Sequence, residues 1–385
     1  GDDPTEPPRG PFPFPAVPHE PTVAGYLEKI RAQGLHPSPL PLGLRDIGAP
    51  DGCVLCDTCN SFPCHREAKS DADVCCVRPL ASYPNVTLWT GALVERLQTD
   101  GSGRRVVGVV VARGDDRTSV EADLVAVCCG AVNSAALLLG SANGTHPDGV
   151  GNSSGLVGRR YMAHLATMMA GFHPFRRNPT VFQKTVAIND FYLKGPDGGH
   201  PLGQIQSQGR THGVMAQTVV PIVPRAFYDY WVARGFDWLA MTEDLPDPDN
   251  RVTVTADGQI QLTYRPTNEG AHRRLVEEVR AMLRGLGMHI QYVHSHNTAN
   301  TTHQCGTACF GTDPAVSVLD PYCRTHDVEN LFVVDASFFP SSAAVNPGLT
   351  IVAQALRVAD HIRDTEWRRP TGVGDQVEMA QGESG

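Results

Sequence analysis

The 385-residue chain lacks several features that would assign it to common protein classes. No apolar run approaches the roughly 20 residues needed to cross a bilayer, which argues against a membrane-spanning protein. The Lys and Arg residues are scattered and the formal net charge is −9, so neither nucleic acid nor an anionic membrane is an expected partner. The amino terminus does not resemble a signal peptide. We therefore expect a soluble, cytoplasmic protein that binds a small neutral molecule.

Eleven cysteines are present, an odd number that is too small for a disulfide scaffold in a chain of this length. Four of them, Cys53, Cys56, Cys59 and Cys64, lie close together with the spacing C-x2-C-x2-C-x4-C. Such spacing suits zinc or an iron–sulfur cluster, but the two separated pairs of most metal sites are missing. Buried thiols or a local disulfide in a loop that covers a ligand is the favoured interpretation, with a metal site as the alternative.

The amino-terminal part is rich in proline. Residues 1–42 contain 11 of the 30 prolines, which predicts an extended connecting arm interrupted by one helix. Thr22 is the candidate cap of this helix, and Gly34 is the candidate residue that ends it.

Three apolar or β-branched runs predict strands at 86–88, 106–111 and 124–129, and a turn at 100–103 joins the first two. The third run is continuously apolar, as in a strand buried on both faces of a parallel sheet. It leads into Gly130 and an apolar helix. This order is that of an ordinary β–α turn, and it also provides free helix amides that bind phosphate groups, so both interpretations stay open.

Residues 151–300 have a different pattern. Segments 203–208 and 252–255 alternate, which predicts an antiparallel sheet with one solvent-exposed face, and Asp257-Gly258 predicts a hairpin turn. Residues 271–286 predict an amphipathic helix. Its apolar stripe consists of Leu275, Val279, Met282, Leu283 and Leu286. We interpret this part as a second domain that binds substrate.

The carboxy-terminal part returns to the first pattern, with a predicted strand at 331–334 and a helix at 349–362. The helix residues predicted to face inward are Val352, Ala355, Leu356 and Ala359. His303 precedes the strand and Asn346 follows it, so an imidazole and an amide are expected to meet at one cavity. A metal cluster of the nearby His289, His294 and His296 is disfavoured, because their spacings are mixed and no carboxylates adjoin them.

Starting at His303, the string HQCGTACFGTDPAVSVLDPYCRTHDVENLFVVDASFFPSSAAVNPGLTIVAQALRVADHI resembles the carboxy-terminal signature of the glucose–methanol–choline (GMC) family of flavoprotein oxidoreductases. Segments such as CVLCDTCNSFPCHREAKSDA and GNSSGLVGRRYMAHL extend the resemblance over most of the chain in family order. The resemblance implies an α/β (α+β) fold, with a partial FAD-binding Rossmann-like domain and a substrate domain that has an antiparallel β-sheet and helices. It also implies FAD as the cofactor and oxidation of an alcohol.

The resemblance further implies roles for individual residues. His303 matches the family's active-site His, and we expect it to be the base that accepts the hydroxyl proton. Asn346 matches the second active-site residue and is expected to orient the alcohol. The cofactor-binding positions implied by the resemblance are Val94, Gly130, Ala131, Asp335, Ala336, Pro347 and Thr350.

The predicted organisation has five parts. They are a Pro-rich connecting arm (1–50), a FAD-domain portion with the cysteine-rich loop (51–160), a substrate-binding domain (161–300), a return to the FAD domain with the catalytic residues (301–364) and a disordered tail (365–385). A sugar or another polyol is the favoured substrate, because Gln204, Gln206 and Gln208 form a polar strand.

One departure from the family affects the cofactor. The GxGxxG motif that holds the FAD pyrophosphate does not occur in the sequence. The chain is therefore interpreted as a fragment, as a chain whose missing strand comes from a partner, or as one that no longer binds flavin. The alternative to the enzyme hypothesis is a truncated, non-catalytic chain that needs a partner or an upstream segment to bind FAD.

Overall fold

The computed structural model describes residues 3–60, 62–219, 221–296 and 301–366. Antiparallel sheets, one parallel strand pair and helices make up the fold, which confirms the predicted mixed α/β class. The predicted tail, 365–385, lies outside the described residues except for its first two positions. The five-part division of the chain stays a prediction.

A seven-stranded antiparallel sheet is the largest element. Its strands are β1 (Pro37–Pro39), β6 (Met162–Phe172), β7 (Val186–Ile188), β8 (Gln204–Ser207), β9 (Gly235–Thr242), β12 (Ile290–Ser295) and β13 (Thr302–Cys305). Their order is β1-β7-β8-β9-β6-β12, and β13 also pairs with β6, further towards its amino-terminal end. The amino-terminal part of the chain thus contributes an edge strand to this sheet.

One face of the large sheet is covered by helices α1 (Pro21–Arg31) and α6 (Glu269–Gly285). The predicted stripe of α6 is fully buried, because its residues repeat at helical spacing and pack on the sheet. Burial of each such side chain contributes about 1.5–3 kcal/mol. The predicted cap of α1 is wrong: the helix begins at Pro21, whose fixed φ suits the first turn, so Thr22 lies inside it.

The opposite face of the sheet differs from the prediction. Segment 203–208 does contain an antiparallel strand, β8, but its expected solvent-exposed face is buried, with Gln204 5% and Gln206 1% exposed. The polar residues alternate as a surface strand does, yet other parts of the chain cover them. The alternating pattern thus predicted the strand correctly, but the prediction that its polar side faces solvent was wrong.

A three-stranded antiparallel sheet consists of β2 (Leu93–Thr99), β3 (Val106–Arg113) and β4 (Asp116–Glu121). The predicted strand at 86–88 is wrong. The segment that pairs with β3 is β2, which places Leu97 in the core, whereas Val86 and Leu88 remain exposed. The predicted turn at 100–103 does join the two strands.

Strands β5 (Val125–Val127) and β14 (Leu331–Val333) lie within two of the predicted strands, and they form a parallel pair. Helix α3 (Gly130–Gly140) follows β5 and contributes to the same apolar core as the pair. Burial of β5 on both faces is wrong, since only Val127 is buried and Ala126 is exposed. Among the described residues, nothing covers the second face of this strand.

The predicted hairpin is confirmed. Strands β10 (Arg251–Val254) and β11 (Ile260–Thr263) pair around the turn at Asp257-Gly258, where Gly258 has a φ of +81°. They form a separate two-stranded sheet rather than part of the large one.

Helix α7 (Gly348–Thr365) confirms the last predicted helix, but its orientation differs. Val352 is 38% and Leu356 62% exposed, whereas Val358 is buried and Ile351 packs against the core. The helix carries apolar residues on two faces, and sequence spacing alone selected the wrong one as the inward face. The prediction was therefore wrong for Val352, Leu356 and Ala359.

Short helices complete the fold. A π-helical turn (Asp73–Val77) leads into α2 (Arg78–Leu80), and α4 (Gly213–Val219) and α5 (Arg225–Val232) follow β8. A 3-10 turn (Ala336–Phe338) follows β14. Among the helices in the described part of the chain, none is long and apolar enough to cross a membrane.

Candidate active site

His303 lies on β13, where pairing with β6 is irregular. The register shifts between Thr302 and Cys305, and His303 has a φ of 58°. A bulge of this kind redirects one side chain out of the regular alternation. The left-handed backbone at a residue other than glycine costs about 1–3 kcal/mol and is found preferentially at functional sites.

The turn after His303 is held by a close backbone contact. Gly306 has a φ of +93°, and a Cβ there would lie 2.4 Å from the carbonyl oxygen of Arg160. Only glycine fits both the conformation and the space. This contact fixes β13 against the start of β6.

Two side chains contact the imidazole of His303, and a third group holds one of them. Its Nδ1 lies 2.9 Å from Nδ1 of His164, and its Nε2 lies 3.4 Å from Nδ2 of Asn346. The Nε2 atom of His164 lies 2.8 Å from the carbonyl oxygen of Ser342. The structure thus brings together the two residues predicted to act on substrate, and adds His164 and Ser342 behind them.

His303 is uncharged near neutral pH. Burial, together with the neighbouring His164, His296 and Lys184, lowers its pKa to about 4. Desolvation disfavours the imidazolium form, and a nearby cation disfavours it further. The neutral ring keeps one nitrogen lone pair available to accept a proton.

Asp335 connects the ends of the two parallel strands. Its Oδ1 accepts hydrogen bonds from the backbone N–H of Ser337, at 2.8 Å, and from its hydroxyl, at 2.6 Å. Its Oδ2 accepts from the N–H of Gly130, at 2.9 Å, and from the hydroxyl of Ser134. The carboxylate therefore fixes the turn after β14 to the start of α3.

The other predicted cofactor positions lie around this junction. The Thr307 hydroxyl donates to the carbonyl of Ala131, at 2.6 Å, and the N–H of Gly306 donates to the carbonyl of Ala336, at 3.1 Å. Gly130 has a φ of +81° and open space where a Cβ would lie. Ala131 and Ala336 are buried, so these positions form the floor between β13 and α3.

The remaining predicted positions are more exposed. Asn346 and Thr350 are exposed, and Pro347 directly precedes α7. Their neighbour Leu349, which was not a predicted position, is 79% exposed. Val94, on β2, is 36% exposed. The first turn of α7 thus presents backbone N–H groups and an apolar side chain next to His303, as a site for a planar polar cofactor requires.

The cysteine-rich loop lies next to the large sheet. Its four cysteines are half-buried and free, and they line one small pocket with Lys69 and Phe182. No disulfide and no metal-binding cluster of three or more His, Cys, Asp or Glu side chains occurs among the described residues. The choice between a loop of thiols and a metal site stays a prediction, and the four side chains are half-buried rather than buried.

Polar side chains occupy the face of the sheet that carries His164. Ala166, Met241 and Gln204 are cross-strand partners on β6, β9 and β8, and partners of this kind point to the same side. His164 and Gln206 share that side, because side chains alternate along a strand. Gln204 lies two strands away from His164 and two residues further along the strand direction. This places their backbone positions about 12 Å apart.

Some of these buried amides lack partners. Within the described part of the chain, the Oε1 of Gln204 and the Nε2 atoms of Gln183 and Gln206 are buried without a hydrogen-bond partner. Buried polar atoms are normally paired, so these three atoms are exceptions in the described core.

Sequence reasoning missed His164. A signal was present in the sequence, because this lone imidazole lies within the largely apolar run Met162–Phe172. The structure shows that it is only 3% exposed. A buried His needs partners for its ring nitrogens. Its partners, His303 and Ser342, are far away in sequence and could not be identified from spacing.

Comparison with known proteins gives the family. Two models described as GMC oxidoreductase match residues 32–166 and 246–355. Paromamine 6'-oxidase of Streptomyces fradiae is 34% identical over 366 residues, which cover 89% of this chain and 65% of that protein. The 6'''-hydroxyparomomycin C oxidase of Streptomyces lividus is 32% identical, with 89% and 65% covered. The chain thus spans just under two thirds of the length of these relatives.

More distant similarities agree. The 2-methyl-1,2-propanediol dehydrogenase of Mycolicibacterium austroafricanum is 28% identical, with 77% of this chain and 57% of that protein covered. The crystal structure of pyridoxine 4-oxidase from Mesorbium loti has a TM-score of 0.63 at 20% identity and covers 91% of this chain and 71% of that one. Its likeness concerns the fold alone. On the matches to both family models, the chain belongs to the GMC oxidoreductase family.

Proposed function

We propose that this chain carries the catalytic and substrate-binding parts of a flavin-dependent oxidoreductase that oxidises an alcohol group of a sugar or another polyol. The observation that carries the proposal is the pair His303 and Asn346, which lie 3.4 Å apart beside the exposed first turn of α7. Membership of the GMC oxidoreductase family supports it, as do relatives named as oxidases and a dehydrogenase.

His303 would act as the base. Alcohol oxidation removes the hydroxyl proton and a hydride from the adjacent carbon, and a neutral imidazole can accept the proton. The lowered pKa keeps His303 neutral at physiological pH. Its Nε2 faces Asn346 and is the nitrogen directed away from His164.

Asn346 would orient the alcohol. Its Nδ2 is a hydrogen-bond donor, and a donor beside the base can bind the substrate oxygen while the proton leaves. The side chain is exposed and precedes Pro347, whose fixed φ limits the motion of the backbone. Asn346 therefore restricts the approach of the reacting carbon without exchanging a proton itself.

FAD would supply the hydride acceptor when bound. The residues that would hold it are Val94, Gly130, Ala131, Asp335, Ala336, Pro347 and Thr350. The open space at Gly130 and the exposed first turn of α7 fit such a group, because a flavin needs close backbone approach and N–H donors. Asp335 already accepts four hydrogen bonds from the protein, so it would shape this site chiefly by holding Gly130 and Ser337.

A polar substrate is supported by the buried amides near His164. Gln204 and Gln206 lie on the same side of the large sheet as His164, and the backbone positions of Gln204 and His164 are about 12 Å apart. That separation is of the size of a sugar unit with its substituents. Unpaired amides favour hydroxyl or amino groups over an alkyl chain, because a polar group buried without a partner costs about 1–3 kcal/mol.

A second hypothesis is that the chain binds FAD only together with a partner or an upstream segment. The exposed apolar face of α7 and the uncovered face of β5 favour it. Such surfaces are typical of contacts with a further polypeptide.

The test is flavin binding followed by turnover. The purified chain, alone and mixed with a polypeptide that carries a GxGxxG strand, is titrated with FAD while flavin absorption and fluorescence are recorded. Flavin-loaded samples are then assayed with sugars, short polyols and long alkyl alcohols, using oxygen and an artificial electron acceptor. Retention of flavin without any alcohol oxidation would contradict the proposed function, and flavin retention only in the mixture would establish the second hypothesis.

A further inference from the structure

The backbone carbonyl of Ser342 sets the protonation of His164. A carbonyl oxygen can only accept a hydrogen bond, and it lies 2.8 Å from Nε2 of His164. His164 Nε2 must therefore carry a proton. In a neutral imidazole the other nitrogen, Nδ1, then has a lone pair and can only accept.

The same reasoning applies to the next ring. Nδ1 of His164 lies 2.9 Å from Nδ1 of His303, a distance at which one hydrogen must lie between the two nitrogens. Since His164 accepts there, the hydrogen belongs to His303. In neutral His303 the lone pair is then on Nε2, the nitrogen that faces Asn346.

We propose that His164 is a positioning residue that fixes the tautomer of His303, so that the Nε2 lone pair of His303 points to the substrate. This inference rests on the proposed function only in taking His303 as the base. The Ser342 carbonyl sets which nitrogen of His164 is protonated, and His164 in turn sets which nitrogen of His303 is protonated. The hydrogen bond made by one ring nitrogen decides which form the other nitrogen takes.

The surroundings of His164 favour the neutral ring that this tautomer requires. Burial lowers its pKa, although the Ser342 carbonyl and the nearby acidic Asp244 and Glu243 oppose this shift. The Asp244 carboxylate is already engaged by the Tyr264 hydroxyl, at 2.9 Å, and by Thr267. If His164 were instead an imidazolium, both of its nitrogens would donate, and His303 would carry its proton on Nε2.

The arrangement also fits the proton transfer. When Nε2 accepts the hydroxyl proton, His303 becomes an imidazolium and its Nδ1–H continues to donate to His164. That hydrogen bond becomes charge-assisted and roughly doubles in strength. His164 thus stabilises the product of proton transfer without itself gaining or losing a proton.

The test reads the tautomer directly. The full chain is labelled with ¹⁵N-histidine, and long-range ¹H–¹⁵N correlations distinguish protonated from unprotonated ring nitrogens. The His303 signals are assigned by their loss in a His303→Asn variant. Protonated Nδ1 and unprotonated Nε2 at His303 are expected at neutral pH, and a protonated Nε2 there would overturn the proposal.

Two variants separate positioning from structural support. His164→Asn places an acceptor where Nδ1 stood, so the tautomer of His303 is expected to persist. His164→Gln keeps only a donor where Nε2 stood, so His303 is expected to shift to the Nε2–H form and donate to the Asn346 side-chain oxygen. A tautomer that is unchanged in both variants would refute the role of His164.

Turnover distinguishes this inference from the proposed function. In the flavin-loaded enzyme, His164→Gln should lower kcat by about 10²–10⁴-fold, with a smaller loss in His164→Asn. If His303→Asn retains full turnover, the proposed function fails while the tautomer measurement still stands. If His303→Asn loses turnover and His164→Gln shifts the tautomer without affecting kcat, the positioning role fails and the proposed function remains.

Discussion

The large antiparallel sheet and the α7 side of the molecule bury their apolar residues to different extents. On the sheet side, Phe236 and Trp238 of β9 and Leu283 of α6 are fully buried where the helices pack on the sheet. On the other side, Leu349 is 79% and Leu356 62% exposed. The first region is a closed core, whereas the second presents apolar surface that the described residues do not cover.

The difference shows which part of the molecule apolar burial stabilises and which part leaves apolar side chains accessible. Apolar burial stabilises the sheet region, since each square ångström removed from water contributes about 25 cal/mol. His303 and Asn346 lie between the two regions, with the ordered sheet behind them and the exposed α7 turn beside them. A rigid support on one side and an accessible surface on the other suit a site that binds two molecules.

The largest expected effect concerns His303, which lies between the two regions. In the flavin-loaded enzyme, His303→Asn should lower kcat by about 10²–10⁴-fold, because the proton acceptor is lost. Asn tolerates the left-handed backbone at this position, so folding should be retained. Steady-state kinetics and flavin absorption measure both effects. His200→Ala, a change at an exposed His, is the control, and equal kcat values in the two variants would remove His303 from the mechanism.

The closed core should be sensitive to truncation. Leu283→Ala, at a fully buried position of α6, should lower the free energy of unfolding by about 2–5 kcal/mol through lost burial and a cavity. Urea denaturation followed by circular dichroism gives the value. A loss below about 1 kcal/mol would show that α6 packs more loosely on the sheet than its burial indicates.

Acid should weaken the sheet region through His272. Burial lowers the pKa of this residue from 6.5 to about 4, and its ring nitrogens lie 2.7 Å from the Thr167 hydroxyl and 2.9 Å from that of Thr242. Between pH 6.5 and 4 the unfolded chain therefore binds a proton that the folded chain does not. Stability falls as the pH falls through this window, by about 2 kcal/mol from this residue between pH 7 and pH 5.

Urea denaturation at pH 7 and pH 5 tests this contribution. His272→Gln should reduce the acid-induced loss by about 2 kcal/mol relative to the unchanged chain, because glutamine does not titrate. His200→Gln should leave the loss unchanged, since this position is exposed. An acid-induced loss that is the same in all three proteins would assign the effect to other groups.

The smallest expected effect lies on α7. Leu356→Ser should change the free energy of unfolding of this chain by less than about 0.5 kcal/mol, because the side chain is already exposed. Light scattering should show less self-association, since an exposed apolar side chain is removed. A loss above 1 kcal/mol would mean that this side chain is covered in solution, and the contrast between the two regions would disappear.

The sequence predicted the buried face of a helix correctly where the apolar residues lie on only one face. The stripe of α6 was predicted residue by residue, because its apolar positions lie on a single helical face. The prediction of the buried face was wrong for α7. Leu356 and Val358 are both apolar but lie on different faces, and only tertiary contacts decide which face is buried. Strand β8 was recognised from alternation, yet burial of its polar side could not be read from Gln204 and Gln206 alone.

The candidate site was predictable in part. The resemblance selected His303 and Asn346, and the structure places them in contact distance, while their catalytic roles stay predictions. His164 could not be paired with His303 from spacing, because the two residues are 139 positions apart and meet only through β6 and β13. Contacts between distant strands depend on the register, which no local pattern specifies.

The left-handed backbone of His303 has a consequence for protein engineering. An L residue in that conformation costs about 1–2 kcal/mol relative to glycine, which adopts it freely. His303→Gly would therefore relax the local strain, but it would also remove the imidazole and leave the buried Nδ1 of His164 without its hydrogen-bond partner, which costs about 1–3 kcal/mol. The two contributions are of similar size, so a stabilisation campaign guided by melting temperature alone would neither protect nor eliminate the residue on which the proposed chemistry depends.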